Sequence, residues 1–166
     1  MKRIFLFFLM FMLFITPCTF AADENVYENQ EYKFHVAFPD DWLLGNQKGA
    51  MVEAHAPEKF PSVIVIVDPI SKHKTTIDGQ ESEVSYYITS MKKGRPDIVL
   101  IEKSSVKISN YNAIRIVLTG NTVSSTTYFV YTNNYAFGII ATSLVTTFDK
   151  DQKAFNKILS TIKILD

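Results

Sequence analysis

Apolar and polar residues follow two different periods along the chain. The two-residue period of β-strands appears first, and the 3.6-residue period of helices follows. After a polar stretch over residues 23–30, which we interpret as a lead-in, residues 31–38 alternate strictly and predict a half-buried strand. Residues 50–56 predict a weaker strand. The β-branched run over residues 62–67 predicts a central strand that is buried on both faces.

Two segments instead show the 3.6-residue period of amphipathic helices. The first begins at Asp78, has Glu81 at the capping-box position and ends just before Gly94, which is expected at the C′ position. The second begins at Asp149 and has Gln152 at the equivalent position. The apolar stripes are formed by Val84, Tyr87, Ile88 and Met91 in the first helix and by Phe155, Ile158, Leu159 and Ile162 in the second.

Strand-forming residues dominate the chain between these helices. The predicted strands cover residues 97–103, 106–108, 113–119, 126–132 and 135–143. Strands in runs joined by short turns, such as Asn133–Asn134, predict an antiparallel sheet. We therefore expect an α+β fold in which a mainly antiparallel sheet is flanked by helices, as in an α/β/α sandwich. No glycine-rich phosphate loop follows a strand, so a doubly wound nucleotide-binding fold is not expected.

The first residues have the pattern of a secretory signal peptide rather than of a folded domain. A positive start and an apolar run lead to small residues, and we expect cleavage between Ala21 and Ala22. The run is shorter than the roughly 20 apolar residues of a membrane-spanning helix, which makes a retained anchor the weaker alternative. Residues 1–21 are thus expected to be removed, leaving residues 22–166 as one periplasmic or secreted domain.

Composition narrows the chemistry of that domain. Cys18 is the one cysteine, and because it lies within the expected signal peptide, thiol and disulfide chemistry are excluded from the mature domain. Lipidation of Cys18 is a further alternative, disfavoured because Pro17 precedes it where lipoprotein signals carry a small residue. The 17 basic and 17 acidic residues balance, and no basic patch predicts a nucleic-acid partner.

Residues 32–42 resemble the opening of PsbP-like domains. The signature is an aromatic residue, then Phe, then Pro-x-x-Trp, which here are Tyr32, Phe34, Pro39 and Trp42. The resemblance implies an antiparallel sheet between helices, and a binding or assembly module without a shared active site. It carries over no catalytic residue and no cofactor. We also expect Trp42 to be a buried anchor at the edge of the sheet.

His35, Glu53 and His55 are the candidate metal ligands, because sets of His and carboxylate side chains suit zinc. They would converge only if their two strands were neighbours. Their spacing matches no ligand motif, so solvated sheet residues are the expected reading and no metal is expected. The adjacent carboxylates of Asp40 and Asp41 are interpreted as a turn rather than as an acid–base pair.

The abundant aromatic residues supply the candidate binding residues. A tyrosine combines a rigid apolar ring with a polar tip, which suits ligand clefts and interfaces, although it is also an ordinary strand residue. The candidates are Tyr86, Tyr128, Tyr131 and Tyr135.

Three functions remain open from the sequence. The first is a non-enzymatic module with a protein partner in the cell envelope, which a well-packed core without a cleft would favour. The second is a carrier of a small apolar ligand between sheet and helix, which a deep aromatic pocket with a few convergent polar groups would favour. The third is an enzyme with a dispersed active site, which a buried, strongly pKa-shifted group in a cleft would favour. No Gly-x-Ser-x-Gly motif or other catalytic set supports the third.

Overall fold

The computed structural model describes residues 25–165, which form two β-sheets and two α-helices. The expected signal peptide, the cleavage site between Ala21 and Ala22, and Cys18 lie outside the described residues. The strands are β1 (Asn25–Asn29), β2 (Phe34–Phe38), β3 (Leu43–Leu44), β4 (Val52–His55), β5 (Ser62–Pro69), β6 (Val99–Ile108), β7 (Tyr111–Thr119), β8 (Val123–Tyr131), β9 (Tyr135–Leu144) and β10 (Lys163–Ile164). The helices are α1 (Ile77–Gly94) and α2 (Phe148–Thr161), and a short 3₁₀ turn covers Ile70–Lys72.

Antiparallel pairing joins the strands into a large and a small sheet. The seven-stranded sheet has the order β3-β4-β5-β9-β8-β7-β6, and the three-stranded sheet has the order β1-β2-β10. The predicted α+β class with a mainly antiparallel sheet is confirmed. The small sheet is an addition that the residue pattern did not indicate.

Three sequence-based boundaries are wrong for local reasons. The polar segment that we interpreted as a lead-in forms β1, because it pairs with β2 across the turn at residues 30–33. That turn also delays the start of β2 to Phe34. The two short strands expected over residues 97–108 are one strand, β6, whose pairing shifts at a bulge between Leu100 and Glu102.

Both helices begin earlier than Asp78 and Asp149. Thr76 caps α1, because its hydroxyl accepts a hydrogen bond from the Gly79 amide at 3.2 Å. Thr147 stands at the cap position of α2, where its hydroxyl donates to the Asp151 carboxylate at 2.6 Å. Gly94, which was expected just beyond the helix at C′, is instead the last residue of α1, and Arg95 stands at the C-cap.

The two faces of the seven-stranded sheet are covered differently, and we call them the filled face and the open face. Helix α2 and the small sheet pack on the filled face, whose core includes Phe34, Phe38, Trp42, Val63, Val65, Tyr128, Val130, Phe137, Ile139, Phe155 and Ile158. Helix α1 packs on the open face, where Val84 joins Ile98, Ile114, Ile116 and Leu118 in a smaller core. The helices therefore lie on opposite faces of the sheet, as a sandwich requires.

Trp42 closes one end of the filled-face core. The residue is 5 % exposed, and its ring stacks on Phe38 with centroids 6.4 Å apart. Asn25 fixes the backbone beside it by donating a side-chain hydrogen bond to the Trp42 carbonyl at 2.8 Å. The expectation that Trp42 is a buried anchor is confirmed.

Candidate binding groove

The smaller core on the open face leaves β5, β9 and part of β8 uncovered by α1. Residues directly opposite one another on these strands form three successive rows on this face. Each row has one residue from β5, one from β9 and one from β8, in that order. The rows are Asp68, Ala136 and Tyr131; Ile66, Gly138 and Phe129; and Ile64, Ile140 and Thr127. All of these residues except Ile64 line a groove of about 580 Å³ between the sheet and α1, which we call the open-face groove.

Helix α1 provides one wall of the open-face groove through side chains one turn apart. Glu83, Tyr86 and Tyr87 line it together with Ser82. The Tyr87 ring meets Phe129 of β8 edge to face, with centroids 5.2 Å apart, and so ties the helix to the sheet. Tyr86 is 76 % exposed at the rim.

Gly138 gives the groove its depth. It lies inside β9, one of the central strands, where a side chain would normally pack against the covering layer. A Cβ atom added to Gly138 would meet no other atom within 4 Å. A glycine inside a strand often marks a place where a ligand or another backbone approaches closely.

A polar cluster closes the end of the groove near the first row. The Glu83 carboxylate accepts hydrogen bonds from the Lys74 amide at 2.7 Å, from His73 Nδ1 at 3.1 Å and from the Tyr131 hydroxyl at 3.2 Å. The His73 ring also meets the Tyr131 ring edge to face, with centroids 6.2 Å apart. One carboxylate thus holds a loop, a helix and a strand together.

The cluster fixes the protonation of two of its members. Partial burial works to raise the pKa of Glu83, but the hydrogen bonds from the Lys74 amide and His73, the electrostatic attraction of His73 and the hydrogen bond from Tyr131 outweigh it and hold the pKa below its ordinary value. Burial, followed by the neighbouring Glu83 charge, raises the pKa of Tyr131 well above its ordinary value. At neutral pH, Glu83 is therefore an ionised acceptor and Tyr131 a protonated donor.

Two residues that line the groove carry a buried polar atom without a hydrogen bond of normal geometry. Within residues 25–165, the buried side-chain atoms of this kind are His73 Nε2, Thr126 Oγ1, Thr127 Oγ1 and Gln152 Nε2. His73 and Thr127 belong to the lining of the open-face groove. Thr127 is held by the Tyr87 hydroxyl, and both atoms are buried away from the surface of the groove.

The four tyrosine candidates separate between the two faces. Tyr131 lies inside the open-face groove and Tyr86 lies at its rim. Tyr128 lies on the filled face, opposite Arg115 in the strand pairing. Tyr135 packs into the filled-face core edge to face with Tyr32, at a centroid distance of 5.1 Å.

The candidate metal ligands are placed in different sheets. His35 lies on β2, which pairs with β1 and β10, and its Nδ1 contacts Glu28 at 3.1 Å. Glu53 and His55 lie on β4, between β3 and β5. The condition that their strands be neighbours is not met. No cluster of three or more His, Cys, Asp or Glu side chains that could hold a metal occurs within residues 25–165.

The residue pattern missed the polar cluster because its members are far apart in sequence. His73 and Glu83 are ten residues apart, and Tyr131 follows 48 residues after Glu83. Gly138 was the one signal available, since an isolated glycine in a strongly predicted strand is unusual.

A second cleft, of about 740 Å³, lies on the filled-face side between β6, β7 and α2. Its lining includes the ion pair of Arg115 with Glu102, and several amide and hydroxyl side chains. Because so much of the lining is polar, this cleft suits an apolar ligand less well than the open-face groove does.

The chain folds as an α+β domain with a groove on its open face, and comparison with solved structures identifies the fold. The chain is similar to cyanobacterial PsbP (CyanoP) from Synechocystis sp. PCC 6803, with a TM-score of 0.69 and 12 % identity, covering 90 % of this chain and 98 % of the other. It is also similar to LpqN of Mycobacterium tuberculosis, described as involved in cell envelope biogenesis, with a TM-score of 0.59 and 14 % identity over 85 % and 90 %.

A third similar structure is PA94 from Pseudomonas aeruginosa, a protein of unknown function, with a TM-score of 0.54 and 13 % identity over 87 % and 99 %. The chain therefore has the PsbP-like fold, as the resemblance of residues 32–42 implies. A scan against protein-family models and a search of curated proteins find no match. Among residues 25–165, no helix combines the length and the apolarity needed to cross a membrane.

Proposed function

We propose that this chain is an exported, non-enzymatic binding module that carries a small apolar ligand in the open-face groove. The observation that supports the proposal best is the uncovered floor at Gly138, flanked by Ile66 and Phe129 in a layer that α1 leaves open. A protein that needed only stability would gain by filling this space, because an uncovered apolar layer forfeits burial free energy.

The size and lining of the groove support a small ligand. Ligand sites in proteins occupy about 300–1,000 Å³ and are mainly apolar, with a few polar groups that fix orientation. The open-face groove, at about 580 Å³, combines an apolar floor with a polar cluster at one end. The similarity to LpqN, described as involved in cell envelope biogenesis, supports an envelope role, as does the expected signal peptide.

The protonation of the cluster argues against acid–base catalysis. A general acid or base works best when its pKa lies near the operating pH. The pKa of Glu83 is lowered and that of Tyr131 is raised, so both shifts lead away from neutrality. These two groups are suited to holding a fixed arrangement rather than to exchanging protons.

Binding of N-phenyl-1-naphthylamine, an uncharged probe that fluoresces in apolar sites, tests the proposal on the protein purified after expression of the full chain. We expect saturable binding that Gly138→Leu weakens by about tenfold or more, since 1.4 kcal/mol corresponds to tenfold. The matched control is Gly94→Leu, because Gly94 also has open space around an added Cβ but lies exposed at the end of α1. Absence of binding, or equal binding by both variants, would overturn the proposal.

A protein partner is the second candidate, and the free edge of the large sheet favours it. Strand β6 is ten residues long and pairs only with β7, and Ile101 on it is 61 % exposed. Edge strands with free backbone groups can add a strand from a partner. Retention of an envelope protein that Ile101→Lys abolishes and Gly138→Leu leaves intact would support this candidate over the ligand carrier.

A further inference from the structure

The polar end of the open-face groove carries a positive charge without an ion-pair partner, at Lys74. Asp68 pairs with Lys72 at 3.4 Å, and Glu83 pairs with His73 at 3.1 Å. Lys74 also lines the groove, yet its ammonium group takes part in no ion pair with another described residue. The two carboxylates of the lining thus have cations of their own, and the Lys74 ammonium group has no anion.

Two contacts fix the position of Lys74. Its backbone amide donates to the Glu83 carboxylate at 2.7 Å. Its side-chain stem lies over Gly79 in the first turn of α1, where an added Cβ atom would collide with Lys74 Cβ and lie 3.0 Å from Lys74 Cδ. Glycine is unfavourable in a helix because it loses the most backbone freedom on folding. At this position it leaves room for the lysine stem.

The ammonium group is accessible to a ligand where the apolar floor begins. Lys74 is exposed, whereas Glu83 beside it is half-buried. The Glu83 carboxylate that holds the Lys74 amide also accepts from the Tyr131 hydroxyl at 3.2 Å, and Tyr131 belongs to the first row of the floor. An ammonium group has three hydrogen-bond donors, so Lys74 can hold an anion at this end of the groove.

The floor of the groove extends away from this end along β8. At about 3.4 Å per residue, the four residues from Tyr131 to Thr127 span about 14 Å. The middle row has open space above Gly138. The groove therefore combines one accessible cation at its end with an elongated apolar floor, which is the shape of a site for a chain with a charged head.

We propose that the open-face groove binds a single-chain amphiphile with a carboxylate head group, whose head pairs with Lys74 and whose chain lies over Gly138. The inference rests on the proposed function and adds the charge of the ligand and the residue that recognises it. A lysine ammonium is a compact point charge, which matches the single negative charge of a carboxylate. A cationic head would instead meet a like charge at Lys74.

The test is displacement of N-phenyl-1-naphthylamine by decanoate, 1-decanol and decyltrimethylammonium, each below its critical micelle concentration. The three compounds have the same alkyl chain and carry a negative, a neutral and a positive head. At about pH 7.5 the carboxylate is ionised. Because the three heads differ in their own affinity for water, the quantity to compare is the change in displacement that a variant causes for each compound.

Lys74→Met removes the charge but keeps an unbranched stem over Gly79 and the backbone amide that binds Glu83. We expect it to weaken decanoate by about fivefold, the upper end of what an exposed ion pair contributes, and to change 1-decanol by less than about twofold. Lys74→Glu should weaken decanoate further and strengthen decyltrimethylammonium by about fivefold. The matched control is Lys92→Met, which removes an exposed charge from the last turn of α1 outside the groove and should change no compound by more than about twofold.

The outcomes separate the inference from the proposed function. If the probe binds but Lys74→Met weakens decanoate and 1-decanol equally, or weakens neither, the head-group inference is wrong and the apolar carrier stands. An equal loss of decanoate binding in Lys92→Met also overturns the inference, since the effect would then come from the net charge of the protein. If the probe does not bind to the unchanged protein, the proposed function itself fails.

Discussion

The two faces of the seven-stranded sheet are made by the same strands, yet they are covered to different extents. On the filled face, α2 and the small sheet bury large side chains such as Phe34, Phe137 and Phe155 almost completely. On the open face, α1 covers β6 and β7 but leaves a groove above β5 and β9. The filled face holds the larger buried core and so contributes more of the burial free energy. The open face can therefore keep an uncovered groove without loss of the fold.

Alternation within a strand makes this division possible. Ile139 and Ile140 are neighbours in β9, but Ile139 is 0 % exposed on the filled face whereas Ile140 is half-buried in the groove. Because successive side chains of a strand point to opposite faces, substitutions at adjacent positions can test the two faces separately.

The largest expected effect lies on the filled face at Trp42. Replacing a buried large aromatic by alanine costs about 3–5 kcal/mol, and Trp42→Ala should lose that much of the free energy of unfolding. Urea denaturation of the two proteins measures the loss. Tyr86→Ala, at the exposed rim of the open face, should cost about 0.5 kcal/mol or less. Similar losses at the two positions would contradict the division of roles.

Ile139 and Ile140 test the stability contributions of the two faces at adjacent positions of one strand. Ile139→Ala should cost about 2–5 kcal/mol, because it leaves a cavity in a closed core. Ile140→Ala should cost about 1 kcal/mol, because the side chain borders space that is already open. The same denaturation experiment measures both. If Ile140→Ala cost as much as Ile139→Ala, the groove would be a packed part of the core.

Features that are set by residues close together in sequence could be predicted, whereas features that depend on which strands pair could not. Local patterns predicted the α+β class, the long strands and the end of α1 near Gly94, because periodicity and helix termination are set by neighbouring residues. The position of β1 was missed, because a polar strand is specified by its partner β2 rather than by its own alternation. Pairing order likewise decided that His35 and Glu53 lie apart.

The groove itself was anticipated only as a type of site. The aromatic content suggested a cleft between sheet and helix. Of the four tyrosine candidates, Tyr131 and Tyr86 line the open-face groove, whereas Tyr128 and Tyr135 face the other layer. A tyrosine's identity does not reveal its face until the register of the strand is known. His73 and Glu83 carry the polar end, and only the folded chain brings them to Tyr131.

A smaller effect of opposite sign is expected at the unpaired hydroxyl of Thr126 in β8. Thr126 faces the filled core, and its Oγ1 has no partner within residues 25–165. Replacing Thr126 by valine keeps the shape and removes an unsatisfied group, so the change should stabilise the protein by about 1 kcal/mol. Thr127→Val, on the groove side, should bring no such gain, because the Thr127 side chain is hydrogen-bonded with the Tyr87 hydroxyl. Thermal and urea unfolding measure both changes, and an equal gain at Thr127 would mean that this hydrogen bond contributes nothing to stability.

The smallest expected effect is the pH dependence of the polar cluster, which concerns the open face alone. The folded-state pKa of Glu83 is lowered, so its contribution to stability is present above the unfolded-state value of about 4.3 and is lost as pH falls through the folded-state pKa. Glu83→Gln should therefore be less stable than the unchanged protein near neutral pH, and the difference should shrink as the pH falls from the unfolded-state value through the lowered folded-state pKa.

Unfolding curves across this pH range measure the effect, and Glu58→Gln, which changes an exposed carboxylate in a turn, is the matched control. Probe binding by Glu83→Gln adds the second half of the test. The neutral amide oxygen that this variant places beside His73 accepts fewer hydrogen bonds than a carboxylate and binds the imidazole less strongly. We expect the variant to keep an apolar groove that still binds N-phenyl-1-naphthylamine. A stability difference that does not depend on pH would mean that Glu83 acts through packing rather than through its charge.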